Sequence, residues 1–152
     1  MKQKTFFMIK PEGIKKRRKI LEKILPLAKI ITSKKYPKVP LEKIAKLYEE
    51  HKDEVFYPWF FDYYQNKSIE VMTLEEKDDF QYKEGFFAEI SKIVGDTDPQ
   101  KAEKGTIRSM SKDSMENSLS ERRILKNLVH RSKNKEDAQK EIKIFFDNFE
   151  EM

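Results

Sequence analysis

The run Thr5-Phe6-Phe7-Met8-Ile9, halted by Pro11 and Gly13, most constrains what this chain can fold into. An apolar run of this length without alternation reads as a buried strand. Lys10 then stands at the strand's end, with its ammonium free to reach an anion. Beyond it, the basic run 15–19 leads into Ile20, Leu21, Ile24, Leu25 and Leu27 at helical spacing, a stripe read as core. Residues 28–36 read as a second strand, punctuated by Pro37 and Pro40. Leu41, Ile44, Ala45, Leu47 and Tyr48 recur as on an amphipathic helix, and the aromatic-rich residues 53–64 form its hairpin partner. Residues 68–74 alternate as a strand, residues 86–94 form a helix ending at Gly95, and a long loop precedes a last strand and helix. With the hairpin set aside, the order is βαββαβ. This predicts an α+β fold: a ferredoxin-like core with an inserted helical hairpin and an extended loop before the last strand.

At 152 residues, residues 1–152 are expected to form one domain with a single sizeable core. No cysteine is present, so a disulfide, a thiolate metal site and a cysteine nucleophile are excluded. No apolar run is long enough to cross a bilayer and no signal-peptide segment opens the chain, so a cytoplasmic protein without a membrane partner is expected. The net charge is +5, from 32 Lys and Arg against 27 Asp and Glu. Such a surface favours polyanions, although a solvated Lys-rich face accounts for it equally well.

The chemistry concentrates near the C-terminus. Leu128 and Val129 suggest a buried strand that ends at His130, and Asn134 is placed to cap a helix running through Asp137, Ala138, Glu141, Ile142, Phe145 and Phe146. A carboxylate on that helix can fold back over the strand end. Neutral imidazole attacks phosphorus well when one ring nitrogen is free and the other is held by an acceptor. Glu141, steadied by the Ser132 hydroxyl, is the candidate acceptor. Two polar segments supply candidate phosphate ligands: Gly95-Asp96-Thr97-Asp98-Pro99, and Gly105-Thr106-Ile107-Arg108, whose arginine suits bidentate contact.

Taken in order, strand-Lys-Pro-acid-Gly, Gly-x-Thr-x-Pro, Gly-Thr-Ile-Arg, Asn-x-x-His-x-Ser and a later Glu resemble the nucleoside diphosphate kinase family, from about Lys4 to Phe146. The resemblance implies a phosphotransferase that moves the γ-phosphate of a nucleoside triphosphate to a nucleoside diphosphate by a ping-pong scheme through phospho-His130. It implies Lys10, Arg108 and Thr97 at the phosphates, Asn127 at the ribose, and Tyr57 with Ile124 around the base, Tyr57 standing for the usual phenylalanine. Stacking on such a platform tolerates any base. Tyr48 matches the tyrosine packed beside the histidine, and His51 falls where some members set a histidine against the phosphates; a plain surface role for His51 is equally open. Mg²⁺ is expected with the nucleotide phosphates and water rather than in a protein-only metal site. A homo-oligomer, tetramer or hexamer, is also implied.

Several positions depart from that pattern. Ser91 occupies the place of a second phosphate-binding arginine, with Lys92 beside it; Arg131 replaces the glycine after the histidine, and Lys133 an aspartate. Arg131 either compensates for the missing arginine or obstructs the site. Between Arg108 and Asn127 lie 18 residues, roughly twice what the family leads one to expect, and the extra polar residues around 111–121 read as a surface excursion; loop closure costs only about 0.6 kcal/mol per doubling. Two other functions compete: a catalytically weakened nucleotide-binding or regulatory protein of the same fold, and a nucleic-acid binder using residues 15–19 and Trp59. The joint presence of Lys10, Thr97, Arg108, Asn127, His130, Ser132 and Glu141 favours the enzyme, and nucleic acid is not expected as a partner.

Overall fold

A computed structural model of the chain describes residues 2–146; positions 1 and 147–152, the ends of the expected single domain, lie outside the described residues. Strand β1 (Lys4–Ile9) pairs antiparallel with β3 (Ile69–Glu76) on one side and with β4 (Val129–Arg131) on the other. Strand β2 (Ala28–Tyr36) covers the far edge of β3, with a register shift between Ile30 and Thr32. The sheet order is β2-β3-β1-β4. This is the ferredoxin-like order that the βαββαβ reading requires.

Both faces of the sheet are covered, and so the β1 run has no polar alternation. Phe6 and Met8 face α2 (Leu41–Leu47), α3 (Tyr57–Tyr64) and α6 (Lys135–Phe145), within a core that includes Ile44, Tyr48, Phe60, Tyr64, Ile142 and Phe145. Phe7 and Ile9 face α1 (Arg17–Ile24) and α4 (Phe86–Val94), with Ile20, Ile24, Ile90 and Val94. Strand β3 is likewise buried on both faces over Ile69 to Leu74. The alternation read at 68–74 is therefore not an inside–outside pattern: Glu70 is buried because Arg17 ties it down through 2.6 and 3.1 Å hydrogen bonds.

Three local expectations are corrected. Leu25 caps the end of α1 and is exposed rather than in the stripe. The second hairpin helix starts at Tyr57, not at residue 53, after a 3₁₀ turn Glu49–His51 and a run of turns. Pro58 is the reason, since a proline is tolerated only in a helix's first turn, where its missing N–H has no partner to lose. The long segment after Arg108 does run over the surface, but as an ordered element and not as a plain loop: it folds into α5 (Met115–Glu121), whose Ser114 Oγ caps the helix by accepting from Asn117 N at 3.0 Å.

That segment is clamped at its base. Arg123 donates from Nη1 and Nη2 to the two oxygens of Asp113, each at 2.8 Å, and Lys126 N donates to Asp113 Oδ2 at 2.8 Å. Met115 N donates to Asp98 Oδ1 at 3.2 Å, tying α5 to the loop after α4. Burial works to raise the Asp113 carboxyl, but Arg123 and the backbone N–H groups of Lys126 and Ser114 outweigh it and hold it at about 2. A depressed carboxylate contributes stability that is present above the unfolded value of about 4 and lost as pH falls towards 2. Asp113→Asn is accordingly expected to cost about 2 kcal/mol at neutral pH. The gap in Tm between wild type and variant should shrink as pH falls from 4 to 2; a gap that stays constant there would assign the loss to something other than the ion pair.

Candidate active site

The site is assembled where the turn after β1 grips the entry to β4. Pro11 ends β1 and opens a 3₁₀ turn, Pro11–Lys16, that carries Glu12 and Gly13. Lys10 N donates to Leu128 O at 2.9 Å, and Leu128 N donates to Glu12 Oε2 at 2.9 Å. Leu128 has φ +77°, and Val129 N donates to Asn127 O at 3.0 Å across it. This three-residue turn is costly for a leucine and survives because both of its backbone groups are held by the β1 turn. The strand therefore begins after Leu128, with His130 at its centre opposite Met8, and not at its end as the apolar pair Leu128-Val129 suggests.

His130 Nε2 donates to Glu141 Oε1 at 2.8 Å, and Ser132 Oγ donates to the same oxygen at 3.0 Å. Ser132 Oγ also accepts from Phe6 N at 3.3 Å, which locks the serine to β1. A carboxylate can only accept, so the proton resides on Nε2 and the Nδ1 lone pair is left without a hydrogen bond among the described residues. Glu141 reaches the strand because Asn134 Oδ1 accepts from Asp137 N at 2.9 Å and starts α6 there. Tyr48 meets the imidazole edge-on at 5.7 Å, stacks on Phe60 at 3.9 Å and shares a 3.2 Å hydrogen bond with Tyr64. Burial pushes the Tyr48 phenol well above its ordinary range, so the ring is a neutral packing wall.

The candidate phosphate and ribose groups meet in the same corner. Lys10 Nζ donates to Leu125 O at 2.8 Å and to Asn127 Oδ1 at 3.1 Å, with Glu12 at 3.6 Å. Asn127 Nδ2 donates to Thr97 O at 3.0 Å, joining this group to the loop after α4, while the Thr97 residue itself is exposed. Arg108, at the start of a 3₁₀ turn Arg108–Met110, donates from Nη1 to Gly95 O at 3.3 Å and from Nη2 to Val129 O at 3.0 Å. Burial lowers the Lys10 ammonium from its usual value, and burial followed by the charge of Arg131 lowers Arg108 to about 10. The corner thus gathers two buried cations near a histidine with a free ring nitrogen.

Other expected positions lie further out. His51 pairs with Glu50 at 3.5 Å and its ring lies 5.3 Å from Phe56. Tyr57 turns towards α2: its hydroxyl approaches Ala45 O at 3.5 Å and its ring meets Phe61 edge-on. Phe56 instead lies beside His51 and Phe60, and Tyr63 meets the 122–126 stretch, where Lys126 Nζ lies over its ring. Ile124 is buried against that same core. Lys92 does not turn inward in support of Ser91, since it pairs with Glu84 at 3.7 Å and is exposed. Lys133 likewise points to Glu50, at 3.6 Å.

Two contributors escaped sequence reasoning. Glu12 is the acid of the Lys-Pro-acid-Gly motif, yet its work of holding Leu128 N while accepting from Tyr63 Oη at 2.7 Å had no sequence signal beyond its place in that motif. Phe56, whose ring lies 5.3 Å from His51, carried no sequence signal that set it apart from its aromatic neighbour Tyr57. Among the described residues, no group of three or more His, Cys, Asp or Glu is arranged to hold a metal ion, and no helix is long and apolar enough to span a membrane.

A ferredoxin-like α+β fold that half-buries a histidine–carboxylate pair beside cationic side chains is the class that fold and site define: a phosphoryl-handling protein. The nucleoside diphosphate kinase family model matches residues 3–151. Curated relatives with that name are 33% identical over 150 residues in Saccharolobus solfataricus, covering 95% of each chain, and 32% identical over 148 residues in Methanocaldococcus jannaschii, covering 96% of this chain and 94% of the other. The chain belongs to the nucleoside diphosphate kinase family. Among solved structures, the apo enzyme from Encephalitozoon cuniculi superposes with a TM-score of 0.74 at 26% identity, covering 95% of this chain and 88% of that one. The fold is also that of the Borrelia burgdorferi enzyme in its transition-state mimic with vanadate and ADP, with a TM-score of 0.80 at 24% identity over 97% of this chain and 88% of that one.

Proposed function

We propose that this chain transfers the γ-phosphate of a nucleoside triphosphate to a nucleoside diphosphate through phospho-His130. The observation that carries the reading is the proton held on Nε2 by Glu141, which leaves Nδ1 as a free nucleophile in a corner with Lys10 and Arg108. In the first half-reaction the Nδ1 lone pair forms a bond to the γ-phosphorus as the bond from phosphorus to the bridging oxygen breaks. The diphosphate leaves with that electron pair. Glu141 balances the positive charge that grows on the ring, and Lys10 and Arg108 meet the charge on the phosphates. The second half-reaction is the reverse, with a terminal oxygen of another diphosphate attacking the phosphorus.

Thr97 and Asn127 border this corner and are assigned to the phosphates and the ribose, with Ile124 beside the base and Tyr48 as a wall behind His130. The substrate is the Mg²⁺ complex of the nucleotide: the donor set here is cationic and amide, which fits a metal carried by phosphate oxygens and water. The same reading makes the chain a single cytoplasmic domain that works as a homo-oligomer.

The base platform is reassigned from Tyr57 to Phe56, because Phe56 lies beside His51 and Phe60 while Tyr57 packs on α2. Phe56→Ala is expected to weaken ATP, GTP, CTP and UTP alike by about 1 to 3 kcal/mol, a typical stacking loss, while Tyr57→Ala changes stability more than affinity. Calorimetric titration of both variants checks this, and a larger affinity loss at Tyr57 returns the platform to it. The function itself is tested by incubating the protein with γ-labelled ATP and Mg²⁺. Label that is stable in base and labile in acid is expected on the protein; no label at all would defeat the proposal.

A further inference from the structure

Arg131 is the one side chain beside His130 that neither the fold nor the reaction above accounts for. Among the described residues strand β4 pairs with β1 alone, so no strand covers its other edge. Leu128 O and Ser132 N bond towards β1, which turns the backbone groups of Val129 and Arg131 towards the open edge. Arg108 reaches that edge by donating to Val129 O, and Arg131 follows two residues along. The Nε atoms of Arg108 and Arg131 are both buried without a hydrogen-bond partner, and neither guanidinium makes an ion pair among the described residues. Arg131 donates only a long 3.4 Å bond from Nη1 to Ser132 O. Burial lowers the Arg131 guanidinium from its usual range against the raising effect of Glu141, and Arg108 is lowered by its own burial and then by the field of Arg131.

Two neighbouring guanidinium groups, one buried and one partly buried, that repel each other and hydrogen-bond no carboxylate among the described residues are only partly compensated by the fields of Asp96 and Glu141, and an anion between them offsets the cost. Ser91 and Lys92 offer no further inward cation. We infer that Arg131 is a phosphate-binding residue, sharing the terminal phosphates of the bound nucleotide with Arg108 at the open edge of β4. The inference rests on the nucleotide reading above and deepens it. A fork of N–H donors fits phosphate oxygens, and the field that Arg131 exerts on Arg108 makes the two guanidinium groups neighbours able to share one anion. The residue is then a replacement cation for the position held by Ser91, and not an obstruction.

The test uses the full chain and its Arg131→Gln and Arg131→Lys variants, titrated with Mg-ADP, with inorganic phosphate and with adenosine, alongside γ-labelled ATP. Arg131→Gln should weaken Mg-ADP about 10- to 100-fold, as expected for a lost charge-assisted contact, and leave adenosine unchanged; Arg131→Lys should fall between it and wild type. Wild-type circular dichroism and Tm certify the fold of each variant. Mg-ADP affinity that is unchanged or improved in Arg131→Gln, with His130 still labelled, overturns the inference and leaves the proposed function standing. A wild type that never labels, but loses phosphate affinity on Arg131→Gln, overturns the function and supports the inference.

Discussion

Replacing His130 by alanine is expected to leave the fold in place and remove all phosphate label from the protein, with phosphotransfer falling by about 10⁴-fold or more, as for loss of a covalent nucleophile. The fold should tolerate the change because His130 is a partly exposed residue in a three-residue edge strand, making ring contacts only to Phe6 and Tyr48. Nucleotide binding should persist, since Lys10, Arg108 and Asn127 hold their positions through Leu125, Val129 and Thr97 rather than through the imidazole. The decisive measurement pairs the labelling assay with a binding titration on one preparation. Label remaining on a folded His130→Ala variant would place the nucleophile elsewhere.

The second large effect is expected at a glycine that takes no part in the chemistry. A Cβ at Gly13 would lie 2.3 Å from Leu128 O and 3.0 Å from Ile9 Cγ2. The first is a backbone oxygen already held by Lys10 N at 2.9 Å, so it cannot swing aside as a flexible side chain would. Gly13→Ala should cost about 3 kcal/mol by forcing the two segments apart. It should also slow labelling, because the displaced residue is the strained turn that sets Asn127 on one side and His130 on the other. Gly105→Ala is the control: its φ is +95° but nothing lies within 4 Å of the new Cβ, so only backbone strain of about 1 kcal/mol is expected. Urea unfolding of both variants checks the order, and a Gly13 variant as stable as the Gly105 variant would mean that the close approach is not fixed.

Much of this protein was determined by local sequence. The unbroken Phe6 to Ile9 run required a strand covered on both faces, the period of Leu41 to Tyr48 required a helix, and Asn134 with Ser132 and Glu141 placed a carboxylate over the histidine; each depends on spacing and on side-chain chemistry within a few residues. Tertiary structure decided what depends on segments distant in sequence. Leu128 belongs to a left-handed turn rather than to the strand because Lys10 and Glu12, more than a hundred residues earlier, hold both of its backbone groups. The stretch after Arg108 became a clamped helix because Asp113 found Arg123 and Asp98 found Met115. Tyr57 packs on α2 because Pro58 fixed where α3 begins and hence its rotation. Arg131 read from sequence as either an aid or an obstacle, and only the burial of two unpaired guanidinium groups along one open strand edge gives it a task, since the cost of burying charge is set by what surrounds it in space.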